Sequence, residues 1–352
     1  MMAREIGSEF WLAEKGTKYR VPEKTYLSGR TALTAIILDL KIRGVRNVGL
    51  PDYLCESMIE PFLRHNIKPA FYPVQRTLDG LTISLDALQS FEAVMLVNYF
   101  GLMRDQINSL AISCQRLGKI VILDLTHDVF SSVSDYSADY IFGSYRKWTG
   151  IEFGFAFGNR SAHLMSWPLS NYGLQYLALR EEARNVKQLF VNGGYVDDEL
   201  RHKQLDLFES AEDLLDREYI SDTDERNKSR LASLNVDYIK KRRRDNASAI
   251  YSQFQHMKIC APMFEEIPYE AIPLAVPIFV PHEKRDSLRA HLRKNGIFCP
   301  VHWPLSVFHK TADEAVRIYT SEISLVCDQR YDTEDMARTM EMIKQWENTT
   351  SK

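Results

Sequence analysis

The residues best suited to chemistry lie between Lys119 and Lys147. Two apolar runs, Ile120 to Leu123 and Tyr140 to Phe142, have the length of buried strands. Each runs into residues that carry charge or exchange protons: Asp124 and His127 after the first, Ser144 and Lys147 after the second. In an open α/β sheet the carboxyl ends of the strands form the ligand crevice, so neighbouring strands would present Asp124 and Lys147 to one site. An amine can condense with an aldehyde to give a Schiff base, and a carboxylate can hold a ring nitrogen protonated so that the ring accepts electrons. Such a pair suits a pyridinium cofactor. Taken singly, a strand-end Asp and a solvated Lys are more often plain surface residues, so the surrounding elements have to agree.

They do agree. Strand-like runs at Val48 to Leu50, Lys68 to Val74 and Ala93 to Gly101 alternate with helical patterns at Met58 to Asn66, Leu85 to Phe91 and Ile107 to Leu117, which predicts a mostly parallel sheet with helices on both faces. Ser28-Gly29 precedes the helically spaced apolar residues Ala32, Leu33, Ile36, Ile37 and Leu40. A helix starting near Arg30 would offer unpaired N–H groups and a positive dipole end to a phosphate. Thr149 to Gly158 is a glycine-punctuated run suited to a strand packed beside such a site. From Asn171 to Phe254 the pattern is polar and helical. The last third reads as strands at Leu274 to Val280, Ile297 to Trp303 and Ile323 to Cys327, with helices at Glu283 to Asn295 and Thr333 to Trp346. The expected architecture is a large α/β domain with a helical linker (1–255) and a small C-terminal α+β domain (256–352).

With Asp124-Leu-Thr-His127 and Ser144-Tyr-Arg-Lys147-Trp148 in view, the chain resembles the DegT/DnrJ/EryC1/StrS family of pyridoxal 5′-phosphate (PLP) aminotransferases, from about Tyr26 to about Ile343. The resemblance implies an aspartate-aminotransferase-like fold and a homodimer. It makes Lys147 the Schiff-base lysine, Asp124 the partner of the ring nitrogen and His127 the partner of the phenolic oxygen. Gly29, Arg30, Thr31 and Ser144 would bind the phosphate, with Arg30 standing where the family usually has Thr. Tyr53 or Cys55 would stack on the ring, and Asn227, Ser229 and Arg230 would reach the partner subunit's cofactor. His302, in Val301-His302-Trp303-Pro304-Leu305, would face the substrate. The implied reaction moves an amino group from an amino-acid donor to a keto substrate, a nucleotide-linked keto sugar being one candidate. Two departures bear on that substrate. Gly150, Glu152 and Gly154 match the sugar enzymes' glycine-rich segment only loosely, and Ser144 stands three residues before Lys147 where many of them have five. The alternatives are a desulfurase- or dehydratase-type PLP reaction, or a non-catalytic protein that keeps the fold for binding or regulation.

Composition narrows the partners. Across 352 residues the chain is 45% hydrophobic and 26% charged, ordinary values for a globular enzyme, and its net charge of −3 gives no reason to expect nucleic acid. The basic run Lys240 to Arg244 lies in a helical pattern and reads as a solvated face. No run reaches the roughly 18 apolar residues of a membrane span, and the charged first ten residues do not resemble a signal peptide, so a cytoplasmic protein is expected. Five scattered cysteines without Cys-x-x-Cys spacing argue against a disulfide framework or a metal site, and most should be reduced and buried.

Overall fold

Strands that are apolar on both faces need cover on both sides, and helices supply it. The structure is a computed structural model that describes residues 4–10, 16, 19–193, 198–305, 308 and 313–350. Its central sheet has seven strands: β1 (Thr25–Tyr26), β2 (Val48–Pro51), β3 (Ala70–Tyr72), β4 (Ala93–Val97), β5 (Ile120–Asp124), β6 (Tyr140–Ser144) and β7 (Gly154–Gly158). Their order in space is β1-β7-β6-β5-β4-β2-β3. The neighbours from β6 through β3 pair in parallel, and β7 runs antiparallel to both β6 and β1. The expected mostly parallel sheet is therefore present. Register sets Asp124 beside Val97 on one side and Phe142 on the other, so the acid stands at the strand ends.

Three helices belong to this layer: α1 (Gly29–Ile42), α2 (Glu56–Arg64) and α3 (Arg104–Arg116). Ser28 caps α1 by accepting the Thr31 N–H at 3.2 Å. Two long helices follow, α4 (Asn171–Gly193) and α5 (Asp198–Arg217), which pack on each other around Tyr176, Leu177, Ala211 and Leu215. They are followed by α6 (Glu225–Ala232) and α7 (Val236–Tyr251).

A second hydrophobic core surrounds an antiparallel sheet of β8 (Ala261–Pro262), β9 (Val276–Phe279) and β10 (Glu322–Leu325). Around it lie α8 (His282–Lys294), α9 (Asp313–Ser321) and α10 (Thr333–Thr350), with Ile318 and Tyr319 of α9 packed into the first core. The second core also takes in Ile6 from the chain's beginning, whose short strand Ile6–Gly7 pairs in parallel with Ile297–Phe298, and Ala247 and Ile250 of α7. Among the described residues no helix is long and apolar enough to cross a membrane. All five cysteines are free, and Cys114, Cys260 and Cys327 are buried.

Three sequence expectations are corrected. Leu85 to Phe91 makes only a single turn, Asp86–Leu88, of tight helix. The strand expected over Ile297 to Trp303 stops at Phe298, because Pro300 and Pro304 lack the N–H a strand needs, and the chain beyond turns to the site. The basic run is a solvated face only in part: Lys241 is exposed, but Ile239, Arg243, Ala247 and Ile250 share α7's buried stripe, so Arg243 is wholly buried. Beside it, the Arg244 guanidinium donates to the Pro268 carbonyl at 3.1 Å.

One backbone approach fixes where α1 begins. A Cβ on Gly154 would lie 2.2 Å from the Ser28 carbonyl oxygen, so only glycine lets β7 pass behind the helix start. Gly154→Ala is expected to cost about 1–3 kcal/mol through overpacking against backbone that cannot turn aside. Urea denaturation of the variant beside wild type measures it.

Candidate active site

Asp124 from β5 and Lys147 from the turn after β6 line one cavity of about 230 Å³, together with Ser28, Gly29 and Arg30 of the α1 start, Cys55, His127, Ser144 and His302. Nine residues singled out from sequence, including the helix cap Ser28, thus converge on one space. Gly29 lets the α1 backbone close on β6, since a Cβ there would sit 3.3 Å from the Ser144 Cβ. The N–H groups of the first helical turn and the hydroxyls of Ser28 and Ser144 form a cradle for an anion.

The proton positions follow from the hydrogen bonds. His127 Nδ1 accepts the Phe100 N–H at 3.1 Å, so the neutral ring carries its proton on Nε2. That Nε2 lies 3.3 Å from Lys147 Nζ, whose lone pair can accept it. Burial lowers the Lys147 pKa, while Cys55 and Asp124 partly offset it and Arg146 adds to the lowering. Burial, and then the charge of Lys147, puts His127 well below the ordinary histidine value. Burial raises the Asp124 carboxyl, against the pull of the Thr126 hydrogen bonds and Lys147; the Thr126 N–H lies 2.7 Å from Asp124 Oδ1. A neutral imidazole donor therefore faces one space with an amine and a carboxyl whose charged forms burial disfavours.

His302 stands on a second relay. Its Nδ1 lies 2.7 Å from Ser324 Oγ, its backbone N–H donates to Glu322 Oε2 at 2.6 Å, and Ser324 is hydrogen-bonded to Glu322 Oε1. Burial pushes Glu322 up to about 8, and burial followed by Lys147 holds His302 well below its ordinary value. Ionised Glu322 accepts from Ser324, which then accepts from His302 Nδ1–H and leaves Nε2 as a base. Protonated Glu322 reverses the chain and puts the imidazole proton on Nε2.

Other singled-out side chains, and the guanidinium of Arg30, are engaged elsewhere. Tyr53 is wholly buried, stacks on Tyr99 at 5.2 Å and donates to the His302 carbonyl, so it supports the wall without lining the cavity. The Thr31 hydroxyl donates to the Tyr219 carbonyl. The Arg30 guanidinium is engaged by Asp216 at 2.8 Å and Glu60 at 3.4 Å. In α6, Asn227 accepts the Glu152 N–H at 3.1 Å, Arg230 pairs with Glu181 at 2.7 and 2.8 Å, and Ser229 is exposed.

The sequence reading missed several neighbours. Trp303 lines the cavity, stacks on His127 with centroids 5.4 Å apart, and its ring centroid is 5.3 Å from Lys147 Nζ. An aromatic next to His302 was the available signal. Arg146, Glu212 and Leu215 were also missed: Arg146 and Leu215 line the cavity, and Glu212 pairs with Arg146. The last two lie on α5, in a stretch without a chemical signature.

No family model matches the chain, and no curated protein does. Solved structures do. PseC of Helicobacter pylori, an aminotransferase of pseudoaminic acid biosynthesis, aligns over 92% of this chain and 86% of its own at 15% identity and a TM-score of 0.63. CalS13 of Micromonospora echinospora, a sugar aminotransferase, aligns over 92% and 86% at 13% identity and a TM-score of 0.60. The chain has the fold of these aminotransferases. Spr1654 of Streptococcus pneumoniae, solved in its PLP form, aligns over 93% and 87% at 16% identity and a TM-score of 0.60.

Glu322 makes stability depend on pH. The folded protein keeps its proton up to about pH 8, whereas an unfolded Glu releases it near 4.5, so stability falls as pH rises between those values. The decline from this group is about 1.4 kcal/mol per pH unit. Glu322→Gln keeps both hydrogen bonds and should abolish it. Denaturant unfolding at pH 6.5 and 8 is expected to give wild type an extra loss of about 2 kcal/mol relative to the variant.

Proposed function

We propose that this protein is a PLP-dependent aminotransferase of the DegT/DnrJ/EryC1/StrS type, working as a cytoplasmic homodimer. The observation that carries the reading is the convergence of Lys147, Asp124 and the α1 start on one small cavity. The site fits the cofactor's three chemical parts. Lys147, whose pKa burial lowers, would offer its amine to an aldehyde. Asp124, raised by burial, would regain its charge against a protonated ring nitrogen. The Ser28, Gly29 and Ser144 cradle would take the phosphate, with the helix end supplying the positive potential because Arg30 is already paired.

When bound, PLP supplies an aldehyde that captures amines and a ring that accepts electron density. The chain supplies the rest. Lys147, whose charged form burial disfavours, would carry a proton to and from the donor's α-carbon. His127 Nε2–H would donate to the phenolic oxygen, and Trp303 and Cys55 would bound the ring. Tyr53, which the resemblance offered as a stacking residue, would act by holding the His302 carbonyl. Asn227, Ser229 and Arg230 keep their proposed role toward the partner subunit. The acceptor is a keto substrate, and CalS13, a sugar aminotransferase among the structural neighbours, supports a keto sugar, of which a nucleotide-linked one is the candidate. Cys55 opens α2 next to Leu54, whose N–H donates to the Tyr319 hydroxyl at 2.7 Å, a fixed setting that disfavours the swinging thiol of a desulfurase.

Lys147→Ala is expected to remove the visible absorbance of the PLP-loaded protein and its borohydride-stable attachment, leaving the fold intact by circular dichroism. A label mapped to any other lysine would sink the reading. Asp124→Asn should keep the attachment yet slow single-turnover amino transfer about ten- to hundredfold, the worth of about 1.5–3 kcal/mol in a charged hydrogen bond. Equal rates at equal cofactor occupancy would make Asp124 a structural residue.

A further inference from the structure

His302 stands where two spaces meet. It lines the cavity described above and also a second chamber, of about 550 Å³, that shares Lys147 and Arg146 with it. Phe100, His127 and Trp303 meet the imidazole in T-shaped contacts, with centroids 5.5, 5.3 and 5.5 Å away. These rings hold its plane and give it no hydrogen bond. Ser324 takes Nδ1, so Nε2 is the ring atom left for a ligand, and among the described residues it has no hydrogen-bond partner.

Whether Nε2 offers that ligand a proton or a lone pair is decided behind the ring. The tautomer of His127 is set by the Phe100 N–H, a backbone group that does not titrate. The tautomer of His302 is set through Ser324 by Glu322, a group that does. Glu322 and Ser324 are wholly buried on β10. The cations that act on Glu322, Arg285 and Arg289 of α8, pair with Asp286 at 3.3 and 3.9 Å, and among the described residues neither pairs with Glu322. Cys299 and Tyr53 also face its charge, and burial keeps both neutral. Burial therefore leaves the Glu322 carboxyl protonated up to about pH 8. The His302 N–H occupies Oε2, so the proton sits on Oε1 and points to Ser324.

We propose that Glu322 is a positioning residue of this site: its proton, relayed by Ser324, makes His302 a hydrogen-bond donor at Nε2 toward the carbonyl oxygen of the keto substrate. The choice of ligand rests on the aminotransferase reading, and the relay does not. A carbonyl oxygen has only lone pairs, so Nε2–H holds it and a bare Nε2 repels it. Loss of the Glu322 proton turns the donor into an acceptor without putting a charge on the ring. The site thus distinguishes ligands by hydrogen-bond polarity, beside a His127 whose polarity is fixed.

The test is the nitrogen NMR spectrum of the protein labelled with ¹⁵N-histidine, which separates protonated from bare ring nitrogens and needs neither cofactor nor substrate. The chain has nine histidines, so His302→Gln identifies the His302 signals by their loss. Its ring stays neutral at pH 6.5, because burial and Lys147 hold it well below the ordinary histidine value. Wild type should carry the His302 proton on Nε2 at pH 6.5 and on Nδ1 at pH 9. Glu322→Gln, whose amide donates to Ser324 at every pH, should keep it on Nε2 at both, and Ser324→Ala should remove the response to pH. The same wild-type tautomer at both pH values overturns the proposal, as does a change that persists in Glu322→Gln. If that variant does not fold, the wild type decides alone. For the ligand, PLP-loaded protein is assayed with 2-oxoglutarate as the keto probe. KM for the probe should rise about three- to tenfold between pH 7 and 9 in wild type beyond any rise in Glu322→Gln, and equal rises overturn the choice of ligand. Visible absorbance and borohydride mapping test the aminotransferase reading separately, so either can fail without the other.

Discussion

An amine and an imidazole nitrogen lie 3.3 Å apart where water is scarce, and they cannot both be cations. Two positive charges at that distance repel strongly in a medium of low dielectric. The surroundings ease the conflict by disfavouring the charged form of both groups. Burial lowers each, and the Phe100 N–H takes the His127 lone pair that would otherwise invite a second proton. Burial likewise raises the Asp124 carboxyl, and the Thr126 hydrogen bonds and Lys147 offset that only in part. The protonation pattern of the site thus follows from one short contact and its solvation.

The helices beyond the sheet bear on the same balance. Arg146, next to Lys147, disfavours a second positive charge there, and α5 holds Arg146 through Glu212. Behind them Glu152 is wholly buried, with Arg180 at 2.8 Å, Arg184 at 2.7 Å and the Tyr176 hydroxyl at 2.7 Å. Burial would push its carboxyl up, and the charges of Arg180, Arg184 and Arg146 overcome that and hold it far below the usual range. A paired network of this kind locks α4 against the loop that leads from Lys147 to β7, and breaking one member leaves the others as buried charges. The two long helices therefore act on Lys147 from a distance, through the charges they anchor.

Much of this was legible in the sequence because strand ends and helix starts advertise themselves. Asp124 and Lys147 follow apolar runs, Ser28 and Gly29 precede an apolar helix pattern, and the residues those local signals pick out line one cavity. Pairwise partners were not legible. Nothing near Arg30 announces Asp216 and Glu60, and nothing in Lys240 to Arg244 tells which arginine falls on the buried stripe unless Ile239, Ala247 and Ile250 are counted with it. Tyr53 was read by its position in a loop, yet its ring is taken by Tyr99, Trp303 and Tyr319, aromatics distant in sequence. Tertiary packing decided each of these cases, and periodicity does not encode it.

The short strand at Ile6–Gly7 has a consequence for how the chain is made. It is synthesised long before its pairing partner, Ile297–Phe298. The second core cannot close until then, because Ile6 belongs to it alongside residues beyond Cys260. During synthesis the first core can form around its sheet while the leading end waits, an exposed strand edge with no companion. Any group attached ahead of Ile6 would travel to the late-folding core, at the far end of the chain from where it was translated.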